Sequence, residues 1–239
     1  EKGIKKIVIL EARGVSGGNA KFVKGIFAAG SSLQKRLGID ASRDLLFRKA
    51  MDYGHWKANP RLVRALIDKS GDTIEWLEKN GMEFDWIPPL YQGQDPLVFH
   101  FQKSPGKTGP TFVRTFEQRC ADSGMNIFFK TKAQKLMTDS NGQITGVLAE
   151  TEEKQLKINA KTVILATGGF AGNKELLKRS LPAYNEKEIN RAGIPHNGDG
   201  IRMAGEVGAA TEPLDVLEMN GPAAFPLSSD LSPIIKHPN

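Results

Sequence analysis

The stretch that decides the fold is IKKIVILEARGVSGGN, residues 4–19. Its first half is a β-branched run, which is typical of a strand buried on both faces of a sheet. The run ends in Glu11 and gives way to a loop of small residues with the glycine pair Gly17-Gly18. A carboxylate at the carboxyl end of a parallel strand can accept hydrogen bonds from both hydroxyls of an adenosine ribose. Taken alone, the stretch also fits a core strand followed by an ordinary surface acid.

A second junction of a strand with glycines follows at Thr162–Ala166, where TVILA runs into Thr167-Gly168-Gly169. We predict a buried strand there, followed by a helix over Asn173–Ser180. Such a junction places bare backbone at the carboxyl edge of a sheet, where open α/β folds bind their ligands.

Between the two junctions, four short segments predict a small β-meander. They are Asn126–Thr131, Ala133–Thr138, Gln143–Glu150 and Lys154–Ile158. Asn141-Gly142, between the middle two, is typical of a hairpin turn. Two glycine junctions separated by a meander are much more specific than either junction alone.

Upstream of the meander, residues 59–80 predict a helix with Asn59 as N-cap and Pro60 at its first position. Its apolar stripe is Leu62, Val63, Leu66, Ile67, Ile74 and Leu77. Residues 42–58 also predict a helix. We interpret the stripe as packing and not as a site.

The proline-rich stretch 85–110 predicts a loop, in which His100 is structural or exposed. Thr111–Ser123 predicts a second amphipathic helix, with Cys120 on its apolar face. No base is apparent beside Cys120, so we interpret it as a buried thiol and not as a nucleophile.

Two further stretches are rich in glycine. Residues 20–31 contain Gly25 and other small residues, which suit either a flat ligand or tight helix packing. In His196-Asn197-Gly198-Asp199-Gly200, Asp199 is a natural helix N-cap, and its glycine neighbours fit a ligand-adjacent turn equally well.

Composition restricts the class of protein. Apolar residues make up 39% and charged residues 25% of the 239 residues, as in ordinary globular proteins. No apolar run has the roughly 20 residues of a membrane span, and no signal-peptide pattern opens the chain. The single cysteine excludes an internal disulfide and a cysteine-cluster metal site, so no metal is expected and a cytoplasmic location is the default. The net charge of +6 comes from scattered bases, so nothing favours nucleic acid as a partner.

These stretches together resemble the flavoprotein subunits of the fumarate reductase and succinate dehydrogenase family. The resembling segments appear in family order over about residues 4–210, and include VILEARGVSGGNAKFVKGIFAAGS, TVILATGGFAGN and HNGDGIRMAGEVGA. The resemblance implies an α/β, Rossmann-like FAD-binding fold with an inserted β-meander and helical segment. A nicotinamide dehydrogenase fits less well, because the meander and the Thr-Gly-Gly turn suit FAD proteins better.

The resemblance also implies roles for individual residues. Those that match cofactor-contacting positions are Glu11 for the adenosine ribose, Gly17, Gly18 and Asn19 for the diphosphate and ribityl chain, Gly25 for the flavin ring, Ala133 for the adenine, Thr167, Gly168 and Gly169 for a second FAD-contacting turn, and Asp199 for the flavin side of the site. In such enzymes hydride passes through the flavin N5, and the protein binds and orients the cofactor. The catalytic residues are unknown, because no proton donor is identified.

Four positions depart from the family pattern. Ala20 replaces a usual Ser or Thr after Gly-Gly-Asn, and Lys24 and Ile26 flank Gly25 where Ala and Gly are frequent. Asn220 stands where fumarate reductases use a histidine for a substrate carboxylate. An amide cannot supply a cation, so this candidate substrate residue makes C4-dicarboxylate specificity doubtful.

No GxGxxG motif occurs in the chain, and we interpret it as a fragment that lacks the first βα unit. We expect an incomplete FAD-binding domain over 1–215 and the start of a substrate-capping region over 216–239. The function predicted for the parent is FAD-dependent hydride transfer to or from a C=C or C–C substrate, with little or no turnover by the fragment. The alternative is a non-catalytic, cofactor-free domain acting as a scaffold. An exposed sheet edge would favour dimerisation.

Overall fold

The structure is a computed structural model of the chain and describes residues 6–89, 95–102, 108–181 and 196–211. The helices within these ranges are α1 (Ser32–Arg36), α2 (Arg43–Tyr53), α3 (Pro60–Lys79), α4 (Thr108–Asp122), α5 (Lys174–Ser180) and α6 (Asp199–Glu206). The strands are β1 (Val8–Leu10), β2 (Ile26–Phe27), β3 (Phe84–Trp86), β4 (Phe99–Gln102), β5 (Asn126–Phe128), β6 (Lys132–Thr138), β7 (Ile144–Glu150) and β8 (Gln155–Asn159). A 3-10 helix covers Gly18–Phe22. The mixed α/β class predicted from the sequence is confirmed.

The chain divides into two compact units. Unit 1 comprises Glu1–Val8 and Asn19–Ile127, and unit 2 comprises Ile9–Gly18 and Phe128–Asn239. Each unit is therefore built from two separate segments of the chain. Of the helices in the described ranges, none is long and apolar enough to cross a membrane.

Unit 1 is organised around α3, which begins and ends as its sequence predicts. The Asn59 side chain accepts a hydrogen bond from the Arg61 amide at 3.0 Å, and Pro60 takes the first turn. Asn80 is the C-cap, and Gly81 follows with a φ of 99°. The inward face is buried at Ile67, Ile74 and Leu77. The predicted stripe is wrong at its start, where Leu62 and Leu66 are more than 60% exposed.

The middle of α3 lies directly against backbone. The Ala29 amide donates to the Ser70 hydroxyl at 2.9 Å, and both residues are buried. A Cβ added to Gly71 would lie 2.7 Å from the Ala29 carbonyl oxygen. Only glycine lets the helix come this close to the chain at residues 29–30.

The prediction of a loop over 85–110 is wrong in part. This stretch contributes strands to a three-stranded antiparallel sheet. The strand order is β2-β4-β3, with Ile26 opposite His100 and Phe84 opposite Gln102. β3 and β4 contain aromatic residues, which favour strand formation. This preference outweighs the effect of the nearby prolines. On α4, Cys120 is half-buried and so less enclosed than predicted.

His100 is fully buried and fully bonded, which confirms its structural interpretation. Its Nδ1 lies 3.2 Å from the carbonyl oxygens of Ile26 and Val98, and its Nε2 lies 2.7 Å from the Ser31 hydroxyl. Carbonyls only accept, so Nδ1 carries the proton and Nε2 accepts from Ser31. The imidazole therefore belongs in this network in its neutral form.

Gln34 extends this network. Its amide nitrogen donates to the carbonyls of Ala28 and Leu97, each at 2.9 Å. Its carbonyl oxygen accepts from the Ser31 amide, which completes the capping box of α1. Polar side chains thus fix α1 against the β2-β4 pair.

Unit 2 contains the predicted meander, with β6, β7 and β8 paired antiparallel in that order. The hairpin turn lies at Asn141-Gly142, as predicted, and Gly142 takes a φ of 78°. Asp139 closes it by accepting from the amides of Asn141 and Gln143, each at 2.9 Å. The segment at 126–131 is the exception to the prediction, because β5 pairs with β1 and not with the meander.

Both predicted core strands of the glycine junctions need correction. Thr162–Ala166 is not assigned as a strand, and Ile164 and Leu165 are 86% and 39% exposed. In the first junction the strand is confined to β1, and Ile7 and Val8 are exposed. A strand is buried on both faces only where other elements cover both faces of its sheet. Among the described strands, β1 belongs to a two-stranded sheet with β5, and none pairs with Thr162–Ala166.

Gly71→Ala tests the contact between α3 and the backbone. An interior helical glycine normally gains stability on replacement by alanine, but here the new Cβ would clash with the Ala29 carbonyl oxygen. We expect a loss of about 1–3 kcal/mol in the free energy of unfolding. Urea unfolding followed by circular dichroism measures it.

The matched control is Gly205→Ala in α6, where an added Cβ would have no described atom within 4 Å. We expect this variant to gain up to about 1 kcal/mol. A gain of the same size in both variants would contradict the close contact at Gly71.

The His100 network predicts a pH dependence of stability. Burial lowers the pKa of His100 from its ordinary value of about 6.5. As the pH falls through about 6.5, the unfolded state binds a proton before the folded state does, so this contribution to stability is full above that pH and is lost below it. We expect His100→Gln to flatten the fall in unfolding free energy between about pH 7 and about pH 5, measured by urea unfolding.

His55→Asn is the control, because His55 is exposed and its φ of 50° suits asparagine. We expect this variant to keep the wild-type slope. An unchanged slope in His100→Gln would count against a neutral, buried imidazole.

Candidate functional site

Glu11 lies directly after β1 in unit 2 and is held by three hydrogen bonds. Its amide donates to the Phe128 carbonyl and its carbonyl accepts from the Thr131 amide, both at 2.9 Å. The amide of Arg13 donates to the carboxylate oxygen Oε1 at 2.8 Å. The carboxylate is thus oriented by backbone and keeps acceptor capacity on Oε2 for a further donor.

The loop after Glu11 reaches its glycine pair with backbone that favours glycine. Gly17 and Gly18 have φ angles of 95° and 48°. A Cβ added to Gly18 would meet no described atom within 4 Å, so one side of this backbone is open. The loop therefore has room for a group to approach its amides closely.

The Thr167-Gly168-Gly169 turn is bonded to the start of α6. The Gly198 amide donates to the Gly169 carbonyl at 3.0 Å, and the Gly200 amide donates to the Thr167 hydroxyl at 3.1 Å. A Cβ added to Gly200 would overlap the Thr167 hydroxyl oxygen. The two predicted segments thus form one local structure.

The N-cap of α6 is Gly198, and the prediction of Asp199 in that role is wrong. Gly198 has a φ of 77° and no side chain to cap the helix. Thr167 replaces the missing cap from another segment of the chain, since its hydroxyl accepts from an amide of the first turn. Asp199 is instead the first helical residue, where a carboxylate is favourable for the helix dipole.

Ala133 and Asp199 are brought together through their neighbours. The Lys132 ammonium lies 3.6 Å from the Asp199 carboxylate, with both side chains partly exposed. The Arg202 guanidinium donates to the Gln134 carbonyl at 2.8 Å. Beneath these contacts the buried side chains of Leu136, Val147 and Met203 pack with Leu10, Ala133, Ile144, Val163 and Val207.

Six of the predicted residues are thus linked, through their own bonds or those of their neighbours, to the segment around Thr131 and Lys132. Thr131 bonds Glu11, Lys132 pairs with Asp199, and the helix of Asp199 is capped by Thr167. The residues brought together are Glu11, Ala133, Thr167, Gly168, Gly169 and Asp199.

The remaining predicted residues are not among these six. Gly17 and Gly18 belong to unit 2, whereas Asn19 and Gly25 belong to unit 1. A Cβ added to Gly25 would lie 2.5 Å from the Phe101 ring, so in this structure Gly25 makes room for an aromatic side chain. Asn220 lies outside the described residues.

Sequence reasoning missed His196. A Cβ added to Gly169 would lie 3.1 Å from Cε1 of His196, so the imidazole packs on the glycine turn. The signal was its position three residues before Asp199, within the glycine-rich stretch already singled out.

Thr167→Val tests the cap supplied to α6. Valine keeps the shape of threonine and removes the hydroxyl that accepts from the Gly200 amide. We expect the free energy of unfolding to fall by about 1 kcal/mol, as for loss of an N-cap. The amides at the start of α6 should also exchange hydrogen faster, which mass spectrometry measures.

Thr167→Ser keeps the hydroxyl and is the matched control. We expect its exchange at the start of α6 to stay close to wild type. Equal protection in the valine and serine variants would show that the hydroxyl does not cap the helix.

Comparisons with known proteins show what the chain is similar to. Vinyl phenol reductase from Lactiplantibacillus plantarum is 29% identical over 206 residues, which cover 85% of this chain and 41% of that protein. A probable fumarate reductase from Shewanella frigidimarina is 26% identical over 219 residues, which cover 90% of this chain and 37% of that protein. The chain spans about two-fifths of the length of these curated relatives.

Among solved structures, the open conformation of a flavocytochrome c3 fumarate reductase superposes with a TM-score of 0.78 at 26% identity. The match covers 85% of this chain and 36% of that one. The family model described as FAD binding domain matches residues 1–225. These findings confirm the fumarate reductase-like resemblance and FAD as the cofactor: the chain belongs to the FAD binding domain family.

Proposed function

We propose that this chain is the FAD-binding part of an oxidoreductase that reduces an activated C=C bond. The observation that supports the proposal is a set of three bonds in unit 2, which join Glu11 to Thr131, Lys132 to Asp199, and Gly200 to Thr167. The resemblance assigns Glu11, Thr167 and Asp199 to one cofactor, and these bonds link the segments that carry them.

The described residues of unit 2 fit FAD in three ways. Glu11 keeps acceptor capacity on Oε2, which suits a ribose hydroxyl. The backbone at Gly18 is open on one side, which suits the diphosphate and ribityl chain. Nδ1 of His196 is buried and has no hydrogen-bond partner among the described protein groups, so a polar atom of a ligand could satisfy it.

FAD, when bound, supplies hydride transfer at its N5 atom. The residues of this chain would bind and orient it: Glu11 would accept from the adenosine ribose, and the backbone at Ala133 would border the adenine. The Thr167-Gly168-Gly169 turn would offer main-chain groups to the cofactor, and Asp199 would lie on its flavin side. Asn19 and Gly25 stay predictions for contacts to the ribityl chain and the flavin ring. No residue is assigned as proton donor.

The substrate class is proposed from the names of the relatives. Vinyl phenol and fumarate each contain a C=C bond conjugated to an unsaturated group, which can delocalise the negative charge that hydride addition leaves on the neighbouring carbon. We propose FAD binding within residues 1–215 and the start of a substrate-capping region within 216–239. Asn220 stays a prediction for a substrate contact, and it favours a substrate other than a C4-dicarboxylate.

FAD titration of the purified chain and of Glu11→Gln tests the proposal. Glutamine keeps the size of the side chain and removes the charge that strengthens hydrogen bonds to ribose. Since such a bond contributes about 1.5–3 kcal/mol, we expect the dissociation constant for FAD to rise about tenfold or more. Quenching of flavin fluorescence on binding measures it.

Glu153→Gln makes the same change of charge at an exposed turn of unit 2 and should bind FAD as the wild type does. A wild-type chain that stays colourless with excess FAD would overturn the proposal and favour a cofactor-free scaffold. Equal affinities in both glutamine variants would remove Glu11 from the site.

A further inference from the structure

His196 is held on the second glycine turn by main-chain bonds on both sides. Its carbonyl accepts from the Gly172 amide at 2.7 Å, and the nearby Gly198 amide donates to the Gly169 carbonyl at 3.0 Å. The backbone of His196 is therefore fixed relative to the turn, whatever its side chain does.

The imidazole of His196 lies against the turn. A Cβ added to Gly169 would lie 3.1 Å from Cε1 and 3.3 Å from Nδ1 of His196, which is closer than side chains normally pack. A Cβ added to Gly168 would lie 3.7 Å from its Cγ, an ordinary contact distance. Gly169 thus allows the ring to approach the turn.

Nδ1 of His196 is buried without a hydrogen-bond partner in the described part of the chain. Such an atom destabilises a folded protein unless a ligand or water satisfies it. Asp68 Oδ1 is the other such side-chain atom of the described residues, but its carboxylate already pairs with Arg64 through Oδ2. The imidazole has no comparable compensation on its Nδ1 side.

We propose that Nδ1 of His196 hydrogen-bonds directly to FAD bound on the Thr167-Gly168-Gly169 turn. This inference rests on the proposed function and adds a cofactor-binding residue to it. Apolar packing alone would be served equally well by a leucine, which has no nitrogen to leave unsatisfied. A histidine with an orphaned nitrogen lowers the stability of the free protein, and a bond formed only with the cofactor offsets that cost.

Three variants separate binding from structure. His196→Asn places an amide where Nδ1 lies, His196→Gln places one nearer to Nε2, and His196→Leu has no polar atom. We expect the asparagine variant to bind FAD within about threefold of wild type, and the glutamine and leucine variants to bind about tenfold more weakly. Titration of flavin fluorescence with the full chain measures the dissociation constants.

Unfolding without FAD provides the second readout. We expect His196→Leu to be at least as stable as wild type in the absence of FAD and to gain less stability from added FAD. A merely structural histidine would give the opposite result, with lower stability and an unchanged affinity.

The outcomes also distinguish the two proposals. Wild-type affinity in the leucine variant, or equal losses in the asparagine and leucine variants, would overturn the role of His196 and leave the proposed function standing. A wild-type chain that binds no FAD would overturn the proposed function, and this inference with it.

Discussion

Unit 2 depends on the hydrogen bonds that Glu11 makes with its backbone. Its amide and carbonyl bond Phe128 and Thr131, and these join the two chain segments of the unit, which all of Asn19–Ile127 separates. Closing so long a loop costs conformational entropy, which must be regained where the segments meet. The same residue carries the carboxylate proposed for the ribose. The hydrogen bonds that join the two segments therefore lie at the proposed ligand site.

The start of β6 connects the hydrogen bonds of Glu11 to the rest of unit 2. Thr131 receives Glu11, and Lys132 faces Asp199 one residue later. Ala133 then packs into the apolar cluster with Leu136 and Met203. Three successive residues thus make three different contacts. Thr131 makes a backbone hydrogen bond, Lys132 an ion pair, and Ala133 a contact in the apolar cluster. A shift in the register of β6 would disturb all three together.

Features set by neighbouring residues were predicted well from the sequence. The N-cap of α3 at Asn59, its first-turn proline and the turn at Asn141-Gly142 depend on local chemistry alone, and the structure confirms each. The Thr-Gly-Gly segment at 167–169 was also singled out, because an apolar run followed by glycines is a local pattern.

Features that depend on distant partners were predicted poorly. TVILA has the composition of a core strand, but strand formation needs a ladder, which no local pattern reveals. The network that buries His100 depends on Ser31 and Ile26, which lie 69 and 74 residues from it in sequence. The cap of α6 was assigned to Asp199 because the nearest acid is the usual candidate, whereas the hydroxyl comes from Thr167. Burial of Nδ1 of His196 likewise depends on a turn more than twenty residues earlier.

The contact between Thr167 and Gly200 has a consequence for how the protein can evolve. A side chain at position 200 would occupy the volume of the Thr167 hydroxyl. A substitution at either position, 200 or 167, is therefore harmful when it is made alone. A smaller residue at 167 opens that volume but leaves α6 uncapped, and a side chain at position 198 would be strained at its φ of 77° and would lie 3.1 Å from Cβ of Phe170. The three sites therefore form an epistatic set, in which the effect of each change depends on the residues already present at the other two. Related chains should cross between such combinations through paired changes and not through single steps.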